Sequence, residues 1–245
     1  MQAFRFAVTA ALAAFAAGAA SAAKPLEGDP AIHSYILLDR TGSMESIWTE
    51  ALSSVNAYAD ELSEPDDGDK VDGDITLAVF DAQDGLQFDV IRDNVDADDW
   101  KEVTDKDATP RGMTPLYDAI GRIVALAEGD KPNKAVIVIM TDGKENSSRE
   151  VTRDGAKSAL DRARAKGWEV VFLGAEFADF NDAEGVGQTA SRNMAVTKDN
   201  LSDSMNRLAQ KSKAYAKGEE DSIEWNAEDR AAAQEEEVKQ RTGQQ

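Results

Sequence analysis

Residues 135–140 read AVIVIM, six positions without a polar side chain. A run this short and this apolar suits a strand covered on both faces, as in parallel sheets flanked by helices. Similar runs occur at 34–38, 75–80 and 170–173, and 193–197 is a candidate sixth strand. Residues 87–92 follow the second run after a Gly-containing turn, which predicts an antiparallel edge strand. Between the runs lie stripes at helical spacing: Ile47, Ala51, Val55, Tyr58, Leu62; then Leu116, Ile120, Ile123, Ala127; then Leu201, Met205, Leu208, Tyr215. Thr114-Pro115 reads as an N-cap and first helical position. Residues 147–150 (SSRE) read as a capping box opening a helix that ends at Gly167. The alternation predicts an α/β fold: a doubly wound, mostly parallel six-stranded sheet with one antiparallel edge strand and helices on both faces.

That pattern occupies residues 31–217. Before it, residues 1–22 carry Arg5, an Ala-rich apolar run of 15 residues at 6–20 and the small residues Ala20-Ser21-Ala22. This is the pattern of a cleaved export signal, and the run is shorter than the roughly 20 residues that span a bilayer. Residues 23–30, with Pro25 and Pro30, read as a spacer. The expected product is periplasmic or secreted, with no membrane contact after cleavage. Residues 218–245 are acid-rich with scattered apolar positions and read as a solvated, flexible tail, in part helical.

Composition narrows the chemistry. The chain of 245 residues has no cysteine, so disulfides, thiolate metal sites and cysteine nucleophiles are excluded. With 27 Lys+Arg against 47 Asp+Glu the net charge is −20, which argues against a nucleic-acid partner. Cations or basic surfaces remain.

In an open α/β sheet, ligands bind beyond the carboxyl ends of the strands. The first strand runs into Asp39-Arg40-Thr41-Gly42-Ser43, the strongest strand ends in Thr141-Asp142-Gly143, and Thr114 sits at a helix start. Two carboxylates and three hydroxyls thus converge on one sheet edge. An all-oxygen set suits a hard divalent cation such as Mg²⁺, and would also accept Mn²⁺ or Ca²⁺.

Asp39-x-Thr41-x-Ser43, the stretch Thr114-Pro-Leu-Tyr-Asp-Ala-Ile120, and Thr141-Asp142-Gly143, in this order, resemble the von Willebrand factor type A domain and its metal-ion-dependent adhesion site. Residues 142–150 and 167–174 resemble bacterial stand-alone members. The resemblance implies that Thr41 and Ser43 bind the metal through their hydroxyls. Thr114 would bind directly or through water, and Asp39 and Asp142 would hold coordinating waters. A protein ligand offering an Asp or Glu would then complete the coordination. Two positions depart from the usual pattern. Thr41 stands where Ser is commoner, and Met113 replaces a frequent Gly, which would restrict the loop or narrow the site.

Other signals are weaker. Residues 64–74 hold six acids but fail the EF-hand spacing. His33, the single histidine, starts a strand, far from a triad geometry. Asn146-Ser147-Ser148 fits a glycosylation sequon. The leading expectation is a non-enzymatic, exported, Mg²⁺-dependent protein-binding module with no catalytic residues. The alternatives are a metal-assisted hydrolase with Glu145 or Asp118 as base, and an assembly subunit that binds through its tail.

Overall fold

Along β1 (Ile32–Asp39) successive side chains leave on opposite faces, Ile36 and Leu38 into one buried cluster and Tyr35 and Leu37 into the other. The same division holds in β4 (Ala135–Thr141): Val136, Val138 and Met140 face one way, Ile137 and Ile139 the other. Each continuous apolar run therefore serves two cores. The structure, a computed structural model, describes residues 31–66, 68–177 and 179–243. The expected leader at 1–22 and spacer at 23–30 lie outside the described residues.

The remaining strands are β2 (Gly73–Ala82), β3 (Leu86–Asp96), β5 (Glu169–Ala175) and β6 (Asn193–Val196), in the spatial order β3-β2-β1-β4-β5-β6. β3 pairs antiparallel with β2, and all other pairs are parallel. This is the expected six-stranded mixed sheet. From β1 the chain moves outward to β2 and β3, then returns to lay β4 on the other side of β1. The strand order reverses there, so the crevice for a ligand opens beyond Asp39 and Thr141.

Helices cover both faces. Val55 and Tyr58 of α1 (Trp48–Ser63) join Met205 and Leu208 of α5 (Leu201–Lys217) on one side. Ile120 and Ile123 of α2 (Leu116–Asp130) join Leu160 of α3 (Arg153–Ala165) on the other. Tyr58 ties the first pair through the sheet: its hydroxyl donates to Ser212 Oγ at 3.0 Å and meets Ser34 Oγ at 2.7 Å. Two helix starts differ from the sequence reading. Pro115 takes the cap position of α2, which leaves the Thr114 hydroxyl out of the helix. α3 is capped by Thr152, whose hydroxyl accepts from the Gly155 amide at 3.1 Å, and residues 147–150 form a loop instead of a capping box.

The reading of residues 218–245 as a flexible tail is also corrected, for 218–243. α5 ends at Gly218, whose φ of 75° is the left-handed conformation that favours glycine. α4 (Asn181–Gly185) lies between β5 and β6 in the chain, and after Gly218 the chain folds along the β6 edge as α6 (Ala227–Ala232) and α7 (Glu235–Thr242). Ile223, Trp225, Ala233 and Val238 are buried. The segment also serves backbone groups of the edge: Thr197 N donates to Ala233 O at 3.1 Å, and Ala195 N to Glu235 Oε1 at 3.2 Å. Burial works against the charge of Glu235, but Lys239, Arg230 and the Ala195 amide outweigh it and hold the carboxyl below the usual range. Scattered apolar residues in an acidic segment carry too little periodicity to show this packing in advance.

Candidate metal centre

Asp39, the last residue of β1, is fully buried, and both of its oxygens are engaged. Thr41 N donates to Oδ1 at 2.8 Å, and Thr141 Oγ1 donates to Oδ2 at 2.6 Å. These bonds turn the chain sharply out of the strand and bring the Thr41 hydroxyl back over the sheet edge. Thr41 Oγ1 lies 3.2 Å from Ser43 Oγ, which donates to Asp142 Oδ1 at 2.8 Å. The third segment reaches the same place from before α2: Thr114 Oγ1 lies 3.4 Å from Thr41 Oγ1. The structure thus brings all five sequence-nominated residues together. Asp39, Thr41 and Thr114 form the buried floor, while Ser43 is exposed and Asp142 half-buried, so the cluster opens to solvent on that side.

Burial dominates the electrostatics of the cluster. Burial pushes the Asp39 carboxyl up to about 7, against the hydrogen bonds from Thr141 and Thr41, and the charge of Asp142 adds to the rise. Burial also raises Asp142, against its bond from Ser43. No Lys, Arg or His among the described residues relieves either carboxylate. Gly143 leaves space above the hydroxyls: a Cβ there would stand 3.5 Å from Thr114 Oγ1 and 3.7 Å from Ser43 Oγ. Two carboxylates, three hydroxyls and this open space fit a hard, oxygen-liganded divalent cation. Among the described residues no group of three or more His, Cys, Asp or Glu could hold a metal, so hydroxyls would have to supply much of any coordination here.

Several supporting residues carried little signal in the sequence. Asn146 holds Thr114 at both ends, accepting from its amide through Oδ1 at 2.9 Å and donating its own amide to the Thr114 carbonyl at 3.0 Å. Glu145 and Asp118, the nominated bases of a hydrolase, are consumed by the backbone. Glu145 accepts from the amides of Tyr117, Ser147 and Ser148 and from Ser148 Oγ, at 2.7–3.0 Å. Asp118 accepts from the amides of Arg149, Glu150 and Val151 at 2.6–3.0 Å. Both carboxylates fold the loop after Asp142. His33 lies at the other end of β1, six residues from Asp39 and so about 20 Å away along the strand.

No family model and no curated protein matches this sequence. Solved structures do match. The pilus adhesin SpaC of Lactobacillus rhamnosus GG superposes with a TM-score of 0.57 at 14% identity, over 77% of this chain and 30% of that one. Proximal thread matrix protein 1 of the mussel byssus, in a structure whose metal-ion-dependent adhesion site is occupied by zinc, gives 0.53 at 15% identity, over 76% and 48%. The von Willebrand factor domain of the type V pili tip protein Mfa5 from Porphyromonas gingivalis gives 0.54 at 12% identity, over 74% and 95%. The chain therefore spans less than half the length of the first two proteins and nearly all of the third domain. It has the von Willebrand factor type A fold.

Proposed function

We propose that the chain is a non-catalytic, metal-dependent protein-binding domain. Asp39, Thr41, Ser43, Thr114 and Asp142 hold a divalent cation, Mg²⁺ in the first instance, and a partner's Asp or Glu completes its coordination. The observation that carries this reading is the cluster itself: two carboxylates that no Lys, Arg or His among the described residues relieves, joined to three hydroxyls and open to solvent beside Ser43 and Asp142. When bound, the metal supplies a localised positive charge on an otherwise acidic surface. The chain's own residues do the rest. Thr141 and the Thr41 amide fix the Asp39 oxygens, Ser43 aims Asp142, and Asn146 keeps the Thr114 hydroxyl turned toward the cluster.

The engagement of Glu145 and Asp118 by backbone amides supports the non-catalytic reading over the hydrolase one. Export to the periplasm or beyond fits residues 1–22, and two of the structural neighbours are pilus proteins. Among the described residues no helix is long and apolar enough to cross a membrane.

Thermal unfolding in EDTA and in excess Mg²⁺, beside Asp142→Ala, tests the site. Cation at about 100 times its Kd stabilises by roughly 2.7 kcal/mol, on the order of 5–10 °C in midpoint for a domain of this size. The shift is expected in the parent and absent in the variant; equal midpoints in EDTA and Mg²⁺ would sink the reading. Partner capture from the cell envelope should likewise require Mg²⁺, and capture that survives EDTA would show another binding surface.

A further inference from the structure

Two of the three segments that form the cluster are locked to each other. Asp39 and Thr141 share a hydrogen bond, and so do Ser43 and Asp142. The third segment, residues 111–114, touches the hydroxyl cluster only through the long Thr114–Thr41 contact of 3.4 Å. Asn146 grips Thr114 itself through two hydrogen bonds, so the placement of the preceding stretch, residues 111–113, depends on what holds it from behind.

Behind it lies an ionic network centred on the buried Asp81, at the carboxyl end of β2. The Asp81 side chain is fully buried and receives an arginine from each loop. Arg40, between Asp39 and Thr41, donates from Nε to Asp81 Oδ1 at 2.7 Å and from Nη2 to Asp89 Oδ2 at 2.6 Å. Arg111, three residues before Thr114, places Nε at 3.3 and 3.2 Å from the two Asp81 oxygens. The backbones follow the same route: Arg111 N donates to Arg40 O at 2.7 Å, and Gly42 N to Gly112 O at 3.3 Å. Met113 and Ala82 exchange a pair of hydrogen bonds at 2.8 and 3.2 Å. Gly112 permits this approach. Its φ is 72°, and a Cβ there would stand 2.5 Å from Ala82 O and 2.7 Å from Asp81 Oδ2.

We propose that Asp81, Arg40 and Arg111 are positioning residues: by receiving one arginine from each loop, Asp81 sets the separation of the Thr41 and Thr114 hydroxyls and with it the affinity of the cluster for a divalent cation. This rests on the metal-binding reading above. Buried charges that share one acceptor are geometrically demanding, because each guanidinium must satisfy the same carboxylate from a fixed direction. Outer residues that orient metal ligands change affinity by 10- to 100-fold when removed. Arg111 separates that role from a merely structural one. Its side chain is 41% exposed, and its loss leaves the Arg40–Asp81 pair intact.

The test is a calorimetric titration of the full chain with Mn²⁺, comparing the parent with Arg111→Ala, Arg111→Lys and Asp81→Asn. Amide hydrogen exchange at Arg111, Met113 and Thr114 is followed in EDTA. Arg111→Ala is expected to bind Mn²⁺ about tenfold more weakly, with exchange at the three amides accelerated by a similar factor. Its EDTA unfolding midpoint should stay within about 3 °C of the parent, since a half-exposed pair contributes little to stability. Arg111→Lys should recover part of the lost affinity, and Asp81→Asn should lose at least as much as Arg111→Ala if it folds. Unchanged Mn²⁺ affinity in a folded Arg111→Ala, with the parent binding, overturns this proposal and leaves the metal site standing. A parent chain that takes up no Mn²⁺ overturns the metal-binding reading itself; the exchange rates in EDTA then still decide whether the network holds the loop, and unchanged rates refute it.

Discussion

His33 shows how one buried side chain can be fully specified by its hydrogen bonds. Tyr35 Oη donates to Asp130 Oδ2 at 2.9 Å, so toward His33 Nδ1, 3.2 Å away, it acts as acceptor. Asn94 N donates to Thr76 Oγ1 at 3.0 Å, and that hydroxyl lies 2.8 Å from His33 Nε2. A neutral ring with its proton on Nδ1, accepting from Thr76 at Nε2, satisfies this chain of bonds. Burial pushes the imidazole down to about 4 from its ordinary 6.5, against the raising influence of Asp93. The unfolded chain therefore binds more protons than the folded one between pH 4 and 6.5. This contribution is complete above pH 6.5 and is lost as pH falls to 4, about 3 kcal/mol in all. Urea unfolding of the parent and of His33→Gln at pH 7, 5.5 and 4 should show the stability gap between them narrowing by that order. A gap independent of pH would mean that the ring protonates without cost in the fold.

At the scale of elements, the two edges of the sheet are treated differently. β3 leaves its outer edge open but carries Asp89, Arg92, Asp93 and Asp96, together with a register irregularity opposite residues 75–78. Charges and bulges are features that discourage edge-to-edge pairing. β6 is only four residues long and is covered by the segment after Gly218. Ending the chain at Gly218 should uncover Ala195 N and Thr197 N and the surface beneath Trp225, and light scattering should then detect self-association absent from the parent. A fully monomeric truncation would show that the segment protects nothing. Within the segment, Trp225 is 5% exposed, and its Nε1 is buried with no hydrogen-bond partner among the described residues. Trp225→Phe should consequently cost less than about 1.5 kcal/mol, while Trp225→Ala should cost about 3 kcal/mol or more. Denaturant midpoints of the two variants check the ranking.

For the whole molecule, a net charge of −20 means that the folded state works against its own repulsion. Salt between about 0.01 and 0.1 M shortens the screening length from about 30 to about 10 Å. The metal-free chain should therefore gain thermal stability over that range, while association with a basic-rimmed partner should slow. A midpoint that falls with salt would show that the exposed ion pairs outweigh the repulsion. The sequence by itself determined the strand set, the antiparallel edge and the five residues of the cluster. Apolar runs, helical stripes and motif residues are local patterns. Only the tertiary structure decided that residues 219–243 cover β6, that Asp118 and Glu145 close a loop instead of waiting as bases, and that Arg40 and Arg111 meet at Asp81. Each of those depends on a partner 28 or more residues away, except for Glu145 and the neighbouring amides of Ser147 and Ser148. An Asp, a Trp or an Arg becomes buried and paired only because another element arrives opposite it, and nothing in its own neighbourhood along the chain records that arrival.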